Sequence, residues 1–322
     1  MGRATIIALL AALAAAAAPE RGAPNREAPM GHSQPAAAGI PFRSVMAMQA
    51  RLDGLNFSCG WVDGVMGPRT RAAIAAWRGT PDSPVEDADI LEAARALGVV
   101  EGAFAVHEVT DEDAAGLSPV PPTWAGKARM ESLGHETVLE RLAERYHASQ
   151  GAVRRLNPGI LFPNPAVGER ICVPRLFSGP REHAARLSIS LERQLIRAYD
   201  ANGRLAASFP CSVAARMEKR PVGDLRVVNA AENPNYTFDP LFFPEDAEAR
   251  TLPGRLLIPA GPNNPVGTVW IGLDRPGYGI HGTPNPEDIG KTQSHGCFRL
   301  SNWNAEKLLR MIVIGTPVIV EP

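Results

Sequence analysis

Leu187-Ser-Ile-Ser-Leu191, followed by Leu195-Ile-Arg-Ala-Tyr199 and the turn Asp200-Ala-Asn-Gly203, is the stretch that decides the fold of the C-terminal part. Apolar and polar residues alternate in the first run and partly in the second, as half-buried strands require. The Asp, Asn and Gly between the next runs supply hairpin dihedrals. Short apolar runs broken by Gly and Pro continue to the end: Leu256-Leu-Ile258, Val269-Trp-Ile-Gly-Leu273 and Val318-Ile-Val-Glu321. One helix interrupts them over 304–312, with Leu308, Leu309 and Ile312 on its apolar face. Residues 185–322 are therefore expected to form a mainly-β domain, either a sandwich or a partly closed barrel.

Upstream the pattern is different. The chain has 322 residues, enough for two or three compact units, with ordinary apolar (45%) and charged (21%) fractions. A net charge of -1 gives no electrostatic reason to expect nucleic acid or an anionic membrane as partner. At the N-terminus, Arg3 precedes a short apolar run and an alanine tract, too short to span a bilayer; residues 1–24 are expected to be a secretory signal peptide. Residues 25–39, rich in Pro, Ala and Gly, are expected to be a disordered linker. With the signal removed, no integral membrane segment is expected. An exported chain meets oxidising conditions, but spacing does not say which of Cys59, Cys172, Cys211 and Cys297 pair.

Residues 40–80 read as a small all-α unit: Val45, Met48, Leu52 and Leu55 at helical spacing, a Gly-rich turn, then Thr70, Ala73, Ile74 and Trp77 on one face. The pattern Gln49…Leu52…Gly60-Trp-Val-Asp-Gly-Val-Met-Gly-Pro-Arg-Thr70…Ala73…Trp77 resembles the helical peptidoglycan-binding domain family. Residues 81–125 are expected to be a connector with one helix around Ile90, Leu91, Ala94 and Leu97, ending in the Pro-rich run 118–124. Residues 126–176 read as helix, turn, helix and short strand. The series Glu136-Thr…Leu142-Ala…Tyr146…Leu156-Asn-Pro158…Val167-Gly…Ile171-x-Val-Pro174 resembles an α/β LysM glycan-binding module, with no opening Tyr-x-Val strand or Gly-Asp turn before it.

The chemistry concentrates in Tyr278-Gly-Ile-His281-Gly-Thr…Ser294-His295-Gly296-Cys297-Phe-Arg299. Opening an amide through an acyl intermediate needs a nucleophile, a base for its proton and donors for the developing oxyanion. Cys297 and His281 supply the first two in principle; a loop rich in Pro, Asn and Gly over 283–292 can fold them together. Gly296 admits close approach of substrate, and backbone N–H groups over 295–297 are oxyanion-donor candidates. On an extended strand Arg299 faces the same way as Cys297, and its guanidinium fork suits a carboxylate. A zinc site from His281, His295 and Cys297 is the rival reading; it lacks a tight ligand pair and an evident fourth ligand. No metal or cofactor is expected.

His281…Ser294-His-Gly-Cys297-x-Arg299 resembles the L,D-transpeptidase family with the YkuD-type catalytic domain, supported by Ile280-His-Gly-Thr283, Asn264-Pro-Val-Gly267 and Arg220-Pro-Val-Gly223; the family's Thr is replaced by Arg in the last box. The resemblance implies a periplasmic, cell-wall-associated enzyme acting on peptidoglycan stem peptides and glycan strands. It implies Cys297 as nucleophile, His281 as base, and Ser294, His295, Gly296 and Gly282 as supporting residues, the Gly282 carbonyl orienting His281. Arg299, Tyr278 and Asn264 are the substrate-binding candidates. The thioester would pass to an amine of a second stem, a lipoprotein lysine, a free D-amino acid or water. Two other readings stand beside it. A carboxypeptidase or endopeptidase would use the same residues with water, and product analysis separates it. A non-catalytic wall-binding protein would have no need of the His281/Cys297 pair. The insertion 229–255, with Tyr236, Phe238, Phe242 and Phe243, reads as a lid or as a packed excursion.

Overall fold

The structure, a computed structural model, describes residues 40–98, 102–179, 182–214, 219–291 and 296–322. The expected signal peptide and linker lie outside the described residues. No helix among those described is long and apolar enough to cross a membrane.

The N-terminal part opens with α1 (Phe42–Gly54), α2 (Pro68–Trp77) and α3 (Asp87–Ala96). Gln49 of α1 is buried and organises the turn before α2. Its amide donates to Asp63 Oδ1 (2.8 Å), the Val65 carbonyl (3.1 Å) and Thr70 Oγ1 (3.0 Å); its oxygen accepts from the Asp63 and Gly64 N–H groups at 3.0 and 2.8 Å. Gly64 has φ +73°, and a Cβ there would run into the Phe42 ring. The motif residues Gln49, Asp63, Gly64 and Thr70 thus hold a turn, and Pro68 starts the second helix at a position that needs no N–H donor.

Next come β1 (Phe104–Glu108), the short helices α4 (Asp111–Ala114), α5 (Trp124–Ala128), α6 (Val138–Arg145) and α7 (Gln150–Leu156), and β2 (Arg170–Pro174). Each of these four helices starts on a Thr or Ser side chain that accepts a backbone N–H: Thr110, Thr123, Thr137 and Ser149. β1 pairs antiparallel with β2, Val106 opposite Cys172. This corrects the expectation for 81–125, which holds a strand and two further helices besides α3. β1 ends about thirty residues before α6, and no local pattern marked it as a strand.

The C-terminal part is β3 (Arg186–Ser190), β4 (Leu195–Tyr199), β5 (Leu205–Pro210), β6 (Gly223–Glu232), β7 (Tyr236–Phe238), β8 (Leu256–Ile258), β9 (Val269–Leu273), β10 (Gly279–His281), β11 (Phe298–Arg299), α8 (Asn302–Met311) and β12 (Pro317–Glu321). Eight strands form one sheet in the order β11-β10-β9-β6-β12-β3-β4-β5, while β7 and β8 pair separately inside the insertion. Just beyond β5, Ser212 exchanges backbone hydrogen bonds with Arg299 of β11 at 2.9 and 3.0 Å, joining the two edges. The sheet therefore curls onto itself as a partly closed barrel. Its interior is mainly aliphatic, with Leu187, Ile189, Ile196, Val227, Ile271, Ile280 and the aromatic Phe298 packed against Leu308 and Met311 of α8.

Two features tie the parts together. Asp53 of α1 accepts from His147 Nδ1 and Lys307 Nζ, both at 2.7 Å, while His147 stacks on Trp303 of α8 with centroids 5.2 Å apart. Burial alone would raise the Asp53 pKa, but Lys307 and His147 hold its carboxyl well below the usual range. All four cysteines are free thiols, and Cys59, Cys172, Cys211 and Cys297 each belong to a different apolar cluster.

Candidate active site

The site grows from strand register. β10 lies between β9 and β11, so Ile280 sits opposite Ile271 on one side and Phe298 on the other, and His281 opposite Trp270 and Arg299. Side chains alternate along a strand. Ile271, Ile280 and Phe298 fill the barrel interior, which turns Trp270, His281 and Arg299 to the other face. Cys297, two positions before Arg299, joins that face and packs in a cluster with Tyr236, Phe238 and Val266.

His281 is only 3% exposed and Cys297 1%. The His281 Nδ1 donates to the Gly282 carbonyl at 2.6 Å. A carbonyl can only accept, so the proton sits on Nδ1 and Nε2 is left as acceptor. The ring also stacks on Trp270, centroids 5.8 Å apart and 21° between planes. Burial pushes the imidazole pKa down to about 3; the Arg299 charge adds to this and the Gly282 bond opposes it. Burial likewise pushes the Cys297 thiol up to about 12, against the backbone near Gly279 and the Arg299 charge, which both favour thiolate. The thiol lies 3.6 Å from the Gly277 carbonyl. Burial thus favours the neutral form of both groups, with the Cys297 proton on sulfur. Burial lowers the Arg299 pKa, and the Asp288 carboxylate and Cys297 oppose the shift.

Gly282 is held in place by its neighbours. A Cβ there would collide with Asn302 Oδ1 and lie 3.3 Å from Gly267 Cα. Asn302 is buried; its Oδ1 accepts from the Thr268 N–H at 3.2 Å, and its amide donates to Glu144 Oε1 (2.9 Å) and the Pro262 carbonyl (3.1 Å).

Of the other expected residues, Gly296 lies by the Tyr278 ring, 3.5 Å from where its Cβ would be, and Arg275 covers that ring at 4.8 Å. Asn264 is corrected. It is fully buried, donating to the Pro259 carbonyl at 2.8 Å and accepting from the Val266 N–H at 2.9 Å, so its side chain holds a turn and has no face for substrate. Ser294 and His295 lie outside the described residues. No group of three or more metal-ligating side chains occurs among those described.

Sequence reasoning missed the packing of Trp124 on the insertion. Trp124 of α5 stacks on Phe238 of the insertion, centroids 4.0 Å apart and 13° between planes, in the same cluster as Cys297. Its indole N–H donates to Asp246 Oδ2 at 2.9 Å, and Glu248 accepts from the Trp124 and Ala125 N–H groups at 2.8 and 2.9 Å. The signal available was a lone Trp beside a Pro-rich run.

Residues 184–320 match the family model for the L,D-transpeptidase catalytic domain, YkuD. The Bacillus licheniformis protein named L,D-transpeptidase YkuD is 28% identical over 184 residues, 57% of this chain and 93% of that one. The Salmonella typhimurium protein named L,D-transpeptidase ErfK/SrfK is 27% identical over 191 residues, 56% of this chain and 58% of that one. Among solved structures, L,D-transpeptidase 3 of Mycobacterium tuberculosis in complex with a faropenem-derived adduct is 20% identical, with a TM-score of 0.34 over 49% of this chain and 66% of that one. Residues 184–320 are an L,D-transpeptidase catalytic domain, and the chain is an enzyme of that acyl-transferring class.

Proposed function

We propose that Cys297 is the nucleophile and His281 the base of acyl transfer on peptidoglycan stem peptides. His281 Nε2 takes the thiol proton as sulfur attacks the carbonyl at the L-centre of a diamino acid. The resulting oxyanion meets the Gly296 and Cys297 N–H groups. The tetrahedral adduct then collapses, and the terminal D-Ala amine leaves with the proton from His281. The thioester next meets an amine of a second stem, whose proton passes to His281 and back to sulfur, leaving a 3→3 crosslink and a free thiol. Arg299 and Tyr278 position the donor; Ser294, His295 and Gly282 support the pair. The observation that carries this reading is the β10–β11 register, which puts His281 opposite Arg299, two residues from Cys297, with Nδ1 tied to Gly282 so that Nε2 is the acceptor.

The same reading includes an exported, periplasmic enzyme that holds the wall through its N-terminal parts: α1 and α2 as a peptidoglycan-binding-like unit, and β1-α6-α7-β2 as a LysM-like glycan binder. The paired strands β1 and β2 flanking α6 and α7 support the second.

Intact mass spectrometry of the mature protein with a disaccharide-tetrapeptide tests the chemistry. An adduct on wild type and none on Cys297→Ala, with a dimeric muropeptide, is the expected result. An adduct with tripeptide alone replaces crosslinking by hydrolysis. No adduct under reducing conditions rejects Cys297 as nucleophile.

A further inference from the structure

Glu140 and Glu144 of α6 are four positions apart and so share a face of that helix. Both reach into the C-terminal part. Glu140 accepts from the Asn263 amide at 2.6 Å, and Glu144 accepts from the Asn302 amide at 2.9 Å, a contact that spans 158 positions of chain. Neither glutamate lies within residues 184–320, the stretch that matches the family model.

Asn302 is 1% exposed, and both its amide hydrogens and its oxygen are engaged. The amide donates to Glu144 and, at 3.1 Å, to the Pro262 carbonyl; the oxygen accepts the Thr268 N–H at 3.2 Å. That oxygen fills a niche between two glycines. A Cβ on Gly282, or on Gly267 with its φ of +62°, would run into it. Gly282 donates its N–H to the Val269 carbonyl at 3.1 Å, and its own carbonyl accepts from His281 Nδ1 at 2.6 Å. A continuous run of contacts therefore leads from α6 through Asn302 and Gly282 to the His281 ring. Of the three groups that hold the Asn302 side chain, Glu144 alone comes from the N-terminal part. Taking its oxygen away leaves a buried amide hydrogen unpaired, a cost that favours turning the side chain out of its niche. The Gly282 peptide then loses its stop, and the bond to Nδ1 slackens.

We propose that Glu144 is a positioning residue: by holding Asn302 against Gly282, it keeps His281 in its working orientation. The proposal rests on the acyl-transfer reading above and gives the N-terminal helices a share in the reaction itself, beyond any hold on the wall.

Two readouts on the full chain test it. One is the His281 Nδ1–H resonance in protein isotopically labelled at histidine, assigned by its loss in His281→Gln. The other is the rate of acylation by a tetrapeptide against its concentration, followed by intact mass spectrometry. Glu144→Ala is expected to move the resonance upfield, as a weaker hydrogen bond does. It is also expected to lower the maximal acylation rate at least about tenfold with the half-saturating concentration unchanged. Glu144→Gln keeps an acceptor oxygen, so the resonance stays in place and the rate remains within about threefold of wild type. Both are read well below the melting transition of each variant, where lost stability alone moves neither. A His281 resonance unmoved in Glu144→Ala, a rate loss that Glu144→Gln does not relieve, or a change confined to the half-saturating concentration would overturn the proposal. If His281→Gln acylates as fast as wild type, the acyl-transfer reading falls instead, and the resonance in Glu144→Ala still reports whether α6 holds the ring.

Discussion

Gly282→Ala is the sharpest perturbation of the site that leaves both reacting groups in place. The added methyl collides with Asn302 Oδ1 and comes 3.3 Å from Gly267 Cα, so either the Asn302 side chain or the Gly282 backbone must move. Asn302 is not free to yield, because its amide bonds Glu144 and Pro262 and its oxygen bonds Thr268. Overpacking of this kind costs about 1–3 kcal/mol, a fall in Tm of roughly 2–4 °C per kcal/mol for a chain of this size. The larger effect falls on rate. The Gly282 carbonyl is what holds His281 Nδ1 at 2.6 Å, and misplacing a catalytic group by about 1 Å costs on the order of a hundredfold. Steady-state crosslinking with a tetrapeptide substrate reads kcat/KM, and a thermal melt reads stability in parallel. Asn302→Ala removes the obstacle, so Gly282→Ala in that background is expected within about threefold of Asn302→Ala alone, the signature of a coupled pair. Gly282→Ala with full kcat/KM, or a double variant as slow as Gly282→Ala in the wild-type background, would refute the orienting role of the carbonyl.

Trp124→Ala removes an indole stacked on Phe238 and bonded to Asp246; it is expected to lower stability by about 3–5 kcal/mol and to speed thiol labelling of Cys297 in native protein, checked by mass spectrometry against time. Unchanged labelling would reject α5 as part of the packing around Cys297. The pH profile of acylation is expected to lack an acid limb near the ordinary histidine pKa, because burial holds His281 near 3; a limb at about 6.5 in kcat/KM refutes the neutral base. Stability follows the same group. An unfolded chain takes up a proton below about pH 6.5 that the native His281 refuses, so stability present above that pH is lost as pH falls towards 3. At the alkaline end, the Cys297 contribution is present below about pH 9 and is lost as pH rises towards 12. Denaturant unfolding across pH reads both limbs. Asp53→Ala strands Lys307 and His147 at the junction of α1 with α8, with an expected loss of about 3–5 kcal/mol; a melt unchanged within a degree contradicts a stabilising role for that contact.

The proposed site is readable where short spacing and chemistry coincide: Arg299 is two positions after Cys297, and His281 lies opposite Arg299 because β10 and β11 pair in parallel. The alternating run at Leu187 gave a strand at nearly its observed limits, and the hairpin turn at Asp200 is where it was expected. Partners remote in sequence were not legible. β1 needs β2, more than sixty residues later, to become a strand. Trp124 finds its place only against Phe238 and Asp246. Asn264 reads as a ligand because an amide that closes a turn and one that binds substrate look alike until burial is known. Cysteine pairing was undecidable for a plain reason: each thiol belongs to a separate cluster, which no count or spacing reveals.

The depth of Cys297 bears on how long such a protein lasts. Peroxides attack thiolates, and a sulfur that is 1% exposed and protonated at neutral pH offers them almost none. Under the proposed function, a nucleophile so placed is kept from turning into a sulfenic or sulfinic acid between turnovers. The same shelter would tie the proposed acylation to motion, since a stem peptide reaches a sulfur 1% exposed only once the packing around it opens.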